Sequence, residues 1–270
     1  SDNREVRLAV LLALRKKHHP GFLFAHPGGD IGRRSPGVHP VISIFLADED
    51  AQIATEAARA IHDLHVLGAM PALADRVLFH AGAPKGALES MRDHRLPYLR
   101  RVIDAALRHG DTRHAAALVS LAGRDDIPRK AGRLAIEAVL NWVEPGPRDL
   151  VRGTIRPYGG PSRSSEAIRS EISAPLLDLI QKGNHLAGVA QQAASVHGID
   201  PPLSVNETIL ADASQQTSFR IQALRQIVEH YPERAGIALD RSRSAGIAEL
   251  RVEAERFEED QSVRVQKLEQ

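Results

Sequence analysis

Cysteine is absent from the 270 residues, which removes disulfides, thiolate metal sites, covalent haem attachment and thiol nucleophiles together and leaves the redox compartment undecided. Net charge is nearly absent too. Lys and Arg number 35 against 34 Asp and Glu, a formal +1, so nucleic acid or an anionic membrane finds no general attraction and would need a local patch. Aromatics are scarce at 4%, with one tryptophan. Ala and Leu supply most of the apolar surface, which suits a helical core. The longest nearly uninterrupted apolar run, Leu8 to Leu14, is far below the ~20 residues of a membrane span. No stretch has the pattern of a strand. No signal peptide precedes the first helical pattern, and the chain opens at Ser1 and closes on Gln270 in mid-pattern, as expected of a piece of a longer protein whose targeting signal could have been removed.

What the chain does contain is amphipathic helices. From Asp126 to Val143 the apolar residues Ile127, Ala131, Leu134, Ala135, Ala138, Val139, Trp142 and Val143 form one stripe, while Arg129, Lys130, Arg133, Glu137 and Asn141 form the solvated face. Earlier, Asp2 and Glu5 are spaced like a capping box. They open a helix to about Lys17 whose apolar positions, Val6, Leu8, Ala9, Val10, Leu11, Leu12, Ala13 and Leu14, predict extensive burial. Further helices are predicted over Val41 to Leu46, around Ile53 to Leu64, over Ala69 to Leu78, around Leu99 to Leu107 and around Ala115 to Ala122. Gly110 should stop the fourth of these and Asp111 cap the fifth. Beyond residue 164 the pattern resumes at Ile168 to Ile180, Leu186 to Val196, Val205 to Ala213, Phe219 to Tyr231, Arg234 to Arg241 and Ile247 to Phe257. Pro175 predicts either a kink in the first of these or a fresh start.

Two stretches are rich in Pro and Gly, residues 18–40 and 144–163. They divide the chain into a helical part at 1–143, a Pro/Gly/Arg-rich connection at 144–163 and further helices at 164–270. The markers Leu14, Ile61, Val139 and Ile227 are separated by 47, 78 and 88 residues. The two larger intervals each hold two units of roughly 39 and 44, and periods of ~40 to 47 built from helix pairs are those of HEAT and armadillo repeats. The expected fold class is therefore all-α, an α-solenoid of HEAT/armadillo-like helix pairs, with a plain helix bundle as its rival.

Arg4 to Leu14, Phe45 to Leu64 with Glu56-Ala57-Ala58-Arg59-Ala60-Ile61 at its centre, Leu99-Arg100-Arg101-Val102, and Asn141-Trp142-Val143-Glu144-Pro145-Gly146-Pro147-Arg148-Asp149 together resemble the helical-repeat segment of a family of large secreted bacterial, planctomycete-type dehydrogenase-like proteins. In that family a sugar-dehydrogenase-like β-propeller is followed by HEAT repeats and a cytochrome c haem-binding module. The resemblance covers about residues 1–180. His62, His65 and Asp104 depart from it, standing where the family has Asn, Pro and Asn. It implies a connecting module in an extracytoplasmic, periplasmic setting, without propeller or haem module in this piece.

Four loop histidines, His18, His19, His26 and His39, lie with Asp30 in residues 18–40 and could supply metal ligands, but their spacing matches no ligand motif and no metal is assigned. His62 and His65 lie one helical turn apart and could share a ligand, although a helix C-terminus is reason enough for histidine. Gly28-Gly29-Asp30-Ile31-Gly32 lacks the strand before and the Gly-Lys-Ser/Thr ending of a phosphate loop. No Gly-x-Ser-x-Gly, His-Glu-x-x-His or EF-hand pattern occurs. Arg148, Arg152, Arg156 and Arg163 make the second loop basic; they could contact an anionic group on a partner, but the favoured reading has them pair with acidic residues on adjacent helices and pin the loop. Trp142, in phase with the buried stripe, is expected as a structural anchor. The functional expectation is a non-catalytic scaffold or protein-interaction module, contacting other domains of its own polypeptide or another protein, with no catalytic residue, cofactor or small-molecule substrate assigned. The alternatives are a HEAT-like-repeat enzyme, such as a DNA glycosylase or bilin lyase, and a peptide-binding adaptor.

Overall fold

A computed structural model describes residues 3–17, 39–156 and 162–268. Among these, thirteen α-helices account for nearly all regular structure and there is no strand, only an isolated antiparallel bridge between Arg148 and Ile155. The loop histidines His18, His19 and His26, Asp30 and the glycine-rich run at 28–32 lie outside the described residues, as does the side chain of His39. No described helix is long and apolar enough to cross a membrane. The chain forms two compact units, Ser1–Pro175 and Leu176–Gln270.

In the first unit the helices are α1 (Arg4–Lys17), α2 (His39–Ser43), α3 (Ala51–Asp63), α4 (Met70–Gly82), α5 (Arg95–His109), α6 (Thr112–Ala122) and α7 (Arg129–Leu140). α3 forms because Asp50 accepts from the backbone N–H groups of Gln52 and Ile53, satisfying two of the four orphan donors of a helix start. Its apolar face, Ile53, Ala54, Ala57, Ala58, Ala60 and Ile61, is buried at 4% exposure or less. α5 ends where Gly110 turns left-handed at φ 78, and Asp111 caps α6 through the Arg113 N–H. α3 packs on α5, α5 on α7, and α4 on both α5 and α6, while α6 also meets α7. Helices two places apart in the chain therefore lie side by side.

The predicted stripe of α7 is buried at Ala131, Ala135, Ala138, Val139 and Trp142, and Ile136 joins it. The helix starts at Arg129 after Pro128, three residues later than expected. Asp126 is occupied elsewhere, accepting from the Gly86 N–H at 2.7 Å and from Arg124. The expected burial of α1 does not hold. Leu11 is fully buried, but Val6, Val10 and Leu12 are 45, 44 and 39% exposed, because α1 packs on α3 and only the facing part of its broad apolar surface is covered. At its start Asn3 accepts from the N–H groups of Glu5 and Val6; Asp2, read as part of a capping box, lies outside the described residues.

α8 (Glu166–Gln181) runs through Pro175 without restarting, and the boundary between the units falls there. The second unit continues with α9 (Ala187–Val196), α10 (Leu203–Ala211), α11 (Thr217–His230), α12 (Pro232–Ser244) and α13 (Ala248–Leu268). Each helix from α10 to α13 packs on the next, and α11 also reaches α13. Gly188 on α9 lies against Phe219, whose ring a Cβ would strike, so glycine there sets how closely the two approach.

Candidate functional site

The end of α3 and the flank of α5 meet the Arg-rich segment in the first unit, and a group of ionisable side chains lies there. His62, in the last turn of α3, and Asp104, in the middle of α5, are both 0% exposed. Asp104 is placed there by the same periodicity that turns Val102, Ile103 and Ala106 inward. The His62 Nε2 lies 2.8 Å from Asp104 Oδ2 and its Nδ1 lies 2.9 Å from Asp63 Oδ1. Carboxylates only accept, so both ring nitrogens must carry hydrogen and His62 is an imidazolium. Burial works to lower its pKa, but the hydrogen bonds to Asp104 and Asp63 outweigh it and the net shift is upward.

Every acid in the cluster has further donors. Asp104 also accepts from Arg108 Nε at 3.1 Å and, through Oδ1, from the Leu150 N–H at 2.9 Å. Asp63 takes two hydrogen bonds from Arg101, at 3.1 and 2.8 Å. Burial opposes its charge, but His62 and Arg101 hold its pKa well below the usual carboxylate range. Asp149, 3% exposed, accepts from the N–H groups of Val151, Arg152 and Thr154. Against the penalty of burial, these N–H groups and the charge of Arg156 lower its pKa. Charged groups at this depth persist only when each is paired and hydrogen-bonded, and here each one is.

The four sequence-predicted arginines separate. Arg156, 8% exposed, donates to the carbonyls of His62 at 2.7 Å and Asp63 at 3.3 Å and lies 3.5 Å from Asp149. It thus caps the end of α3 from a segment 94 residues away. Arg163 donates to the carbonyls of Trp142 at 3.2 Å and Arg108 at 3.1 Å, with its guanidinium 4.8 Å from the Trp142 ring centroid. Arg148 and Arg152 are exposed; Arg148 donates to Gly153 O at 2.8 Å, within its own loop. The expectation of acidic partners on adjacent helices is corrected in this respect: the loop is pinned, but chiefly through carbonyls. The last carbonyls of a helix have no partner four residues on, and a guanidinium satisfies several at once.

Trp142 is 1% exposed and sits beneath Arg163. His62 and His65 do not share a ligand. His62 is consumed by its two carboxylates, while His65 is exposed and takes the left-handed position, φ 57, that ends α3, with Val66 N–H bonding to Ile61 O at 2.9 Å. Among the described residues, no group of His, Asp or Glu is arranged to hold a metal ion. Asp63, Arg101 and Arg108 escaped sequence reasoning as members of a cluster. The available signal was spacing: Asp63 and Arg101 are 38 residues apart and His62 and Asp104 are 42, close to the repeat period.

A second group lies on α4. Arg76, Phe79 and His80 share one helix face at offsets of three and four. The Arg76 Nε donates to the Tyr98 hydroxyl at 3.1 Å, and His80 Nε2 lies 3.3 Å from the same oxygen. Burial, helped by the charges of Arg76 and Arg124, pushes His80 down to about 4, so it is neutral near pH 7. With Nε2–H donating to Tyr98, its Nδ1 is a bare acceptor, buried and without a hydrogen-bond partner among the described residues.

No protein family, curated protein or solved structure matches the chain.

Proposed function

We propose that the chain is a non-catalytic helical-repeat module, an α-solenoid of HEAT/armadillo-like pairs, that serves as a scaffold or interaction surface joining domains of a larger extracytoplasmic redox protein. The observation that carries the repeat reading is the recurrence, among the contacts between helices of the first unit, of one chain interval near 40 residues. Arg7 meets Asp48 and Arg15 meets Glu56, each 41 residues on. His62 meets Asp104 at 42, Asp75 meets His114 at 39 and Gly86 meets Asp126 at 40. Contacts that recur at one chain interval are what stacked copies of one unit produce, since each repeat touches only its neighbours. An up-down bundle brings together residues at many different intervals.

The non-catalytic part is supported by where the ionisable groups are spent. His62, Asp104, Asp149 and Arg156 are sealed from solvent and from any substrate, and their hydrogen bonds hold α3, α5 and the 146–156 segment together. The redox setting rests on the family resemblance alone. The test is direct: the purified chain is assayed for dye-linked sugar oxidation and haem uptake, and for DNA retention in a low-salt gel shift, with no signal expected in any. Turnover, stoichiometric haem binding or salt-dependent DNA retention overturns the reading. Capture of the adjoining domains by the chain, competed by those domains added free, is the positive result.

A further inference from the structure

We infer that the cleft between α4, the start of α3 and the 84–91 turn binds a carboxylate carried on a small apolar body, with Arg76 as its anchor. The inference goes beyond the scaffold reading and does not depend on it. The cleft holds about 180 Å³, comparable to the ~150 Å³ apolar cavity that takes one benzene, which suits one side chain or a small aromatic acid. Leu46, Ala54, Leu88 and Met91 make its apolar lining.

Arg76 is built as a fixed cation at this site. Its Nε is held by the Tyr98 hydroxyl at 3.1 Å, and its guanidinium carbon stands 4.2 Å from the centroid of the Phe79 ring. With one nitrogen tied and one face stacked, the two terminal amino groups remain, and neither has a hydrogen-bond partner among the described residues. That edge is the one that receives a carboxylate as a fork. Of the acids at the cleft, Asp48 takes two hydrogen bonds from Arg7, and Glu49, which contacts the same guanidinium at 3.3 Å, is 87% exposed, so water screens its charge. His80 is neutral and adds no competing charge. Phe79, 57% exposed, gives a small acid an aromatic wall beside its anion, and covering that ring would remove its apolar face from water.

Such chemistry reaches a protein as a free organic acid or as the carboxyl terminus of a peptide, and calorimetric titration of the full chain distinguishes them. The probes are 3-phenylpropionate, its neutral amide, and a hexapeptide ending in Phe with a free or an amidated terminus. The expected result is saturable binding of at least one free-carboxylate probe at about 1 mM, the scale for some ten heavy atoms. The matching amide binds at least tenfold more weakly. Arg76→Gln loses at least tenfold and Phe79→Ala several-fold, with unchanged far-UV circular dichroism. Tighter binding of the hexapeptide than of the free acid assigns the site to a peptide terminus, and the reverse order to a metabolite. No saturation by either carboxylate up to 20 mM, roughly twentyfold above that expected constant, or equal binding of acid and amide, overturns the inference. So does undiminished binding by a folded Arg76→Gln. Should that variant unfold, Phe79→Ala and the acid/amide ratio still decide. None of these failures touches the repeat reading, which is tested by assays of activity and domain capture.

Discussion

Asp104→Asn is the most informative single change in the buried cluster, because it removes one charge while keeping the side chain's shape. Asp104 Oδ2 accepts from His62 and Arg108, and Oδ1 accepts from the Leu150 N–H. An amide has one acceptor oxygen and one NH₂. With its oxygen toward Leu150 it turns the NH₂ on Arg108 Nε; flipped, it turns the NH₂ on the Leu150 N–H. Either way a buried donor faces a donor, which costs ~1–3 kcal/mol, and the His62 imidazolium loses half of its counter-charge. Removing one partner from a buried ion pair costs ~3–5 kcal/mol in total, a large part of the ~5–15 kcal/mol that stabilises a typical domain. The effect has a pH signature. His62 has a raised pKa in the folded protein, so the stability it contributes is fully present below its unfolded value near 6.5 and is lost as pH rises through the folded value. The substituted amide withdraws that contribution and accommodates a neutral imidazole better than a charged one. The deficit of the variant is therefore largest at pH 6 and narrows toward pH 9. Trp142 is the only tryptophan and lies in the first unit, so its fluorescence in urea titrations follows that unit's unfolding. A deficit under ~1 kcal/mol, or one that is constant from pH 6 to 9, refutes the assignment of His62 as a buried imidazolium.

Arg156→Ala and Arg152→Ala separate a buried arginine from an exposed one a few residues away: the first should cost ~3–5 kcal/mol by urea denaturation, since it removes the counter-charge of the buried Asp149 and a donor from each of two helix-end carbonyls, and the second should stay within ~0.5 kcal/mol. Trp142→Ala should cost ~3–5 kcal/mol in thermal or urea melts followed by circular dichroism. Gly110→Ala combines a left-handed backbone, φ 78, with a Cβ that collides with the Arg163 guanidinium, and a loss of ~1–3 kcal/mol is expected in the same measurement. His80 acts in the opposite sense to His62. Its folded pKa is depressed to about 4, so stability is intact above pH 6.5 and falls as pH drops from 6.5 through 4, by up to ~3 kcal/mol; His80→Gln should lack that acid-side slope in a pH series of melts.

The helices were legible wherever a stripe of apolar residues met an unambiguous cap. Gly110 after Leu107 and Asp111 before Ala115 are local signals, and each element follows its own residues. Burial was legible only for helices with neighbours on the expected side. α1 has eight apolar residues among its fourteen yet covers few of them, and no local pattern says how many partners a helix will meet. The N-terminus of α7 was misplaced because Asp126 looks like a cap and is instead the acceptor for Gly86, 40 residues earlier. The site was less visible still. His62 and Asp104 stand out singly as departures from the expected repeat pattern, and the arginines stand out as a cluster, but the pairing of His62 with Asp104 depends on α3 packing against α5. Guanidinium groups serving helix-end carbonyls leave no trace in composition, since the acceptor is backbone and any residue type supplies it.

The same device recurs in the second unit. Arg220, 4% exposed, donates from Nε to the carbonyl of Leu210 at 3.0 Å, one residue before the end of α10. Arg156 and Arg163 do this in the first unit for the ends of α3 and α5. A chain poor in aromatics and built largely on Ala and Leu has small side chains with which to lock one helix against the next. Arginine supplies both reach and direction: its methylenes pack along the apolar surface while its five donors fix a carbonyl at a chosen place. Dispersion between small residues sets how close the helices come, and buried arginines set which helix end meets which loop. Charge that would ordinarily mark a binding surface is thus turned inward in this protein. Arg148 and Arg152, exposed on the loop, and Arg76, half-buried at the cleft, are cations whose substitution should alter binding without unfolding the chain.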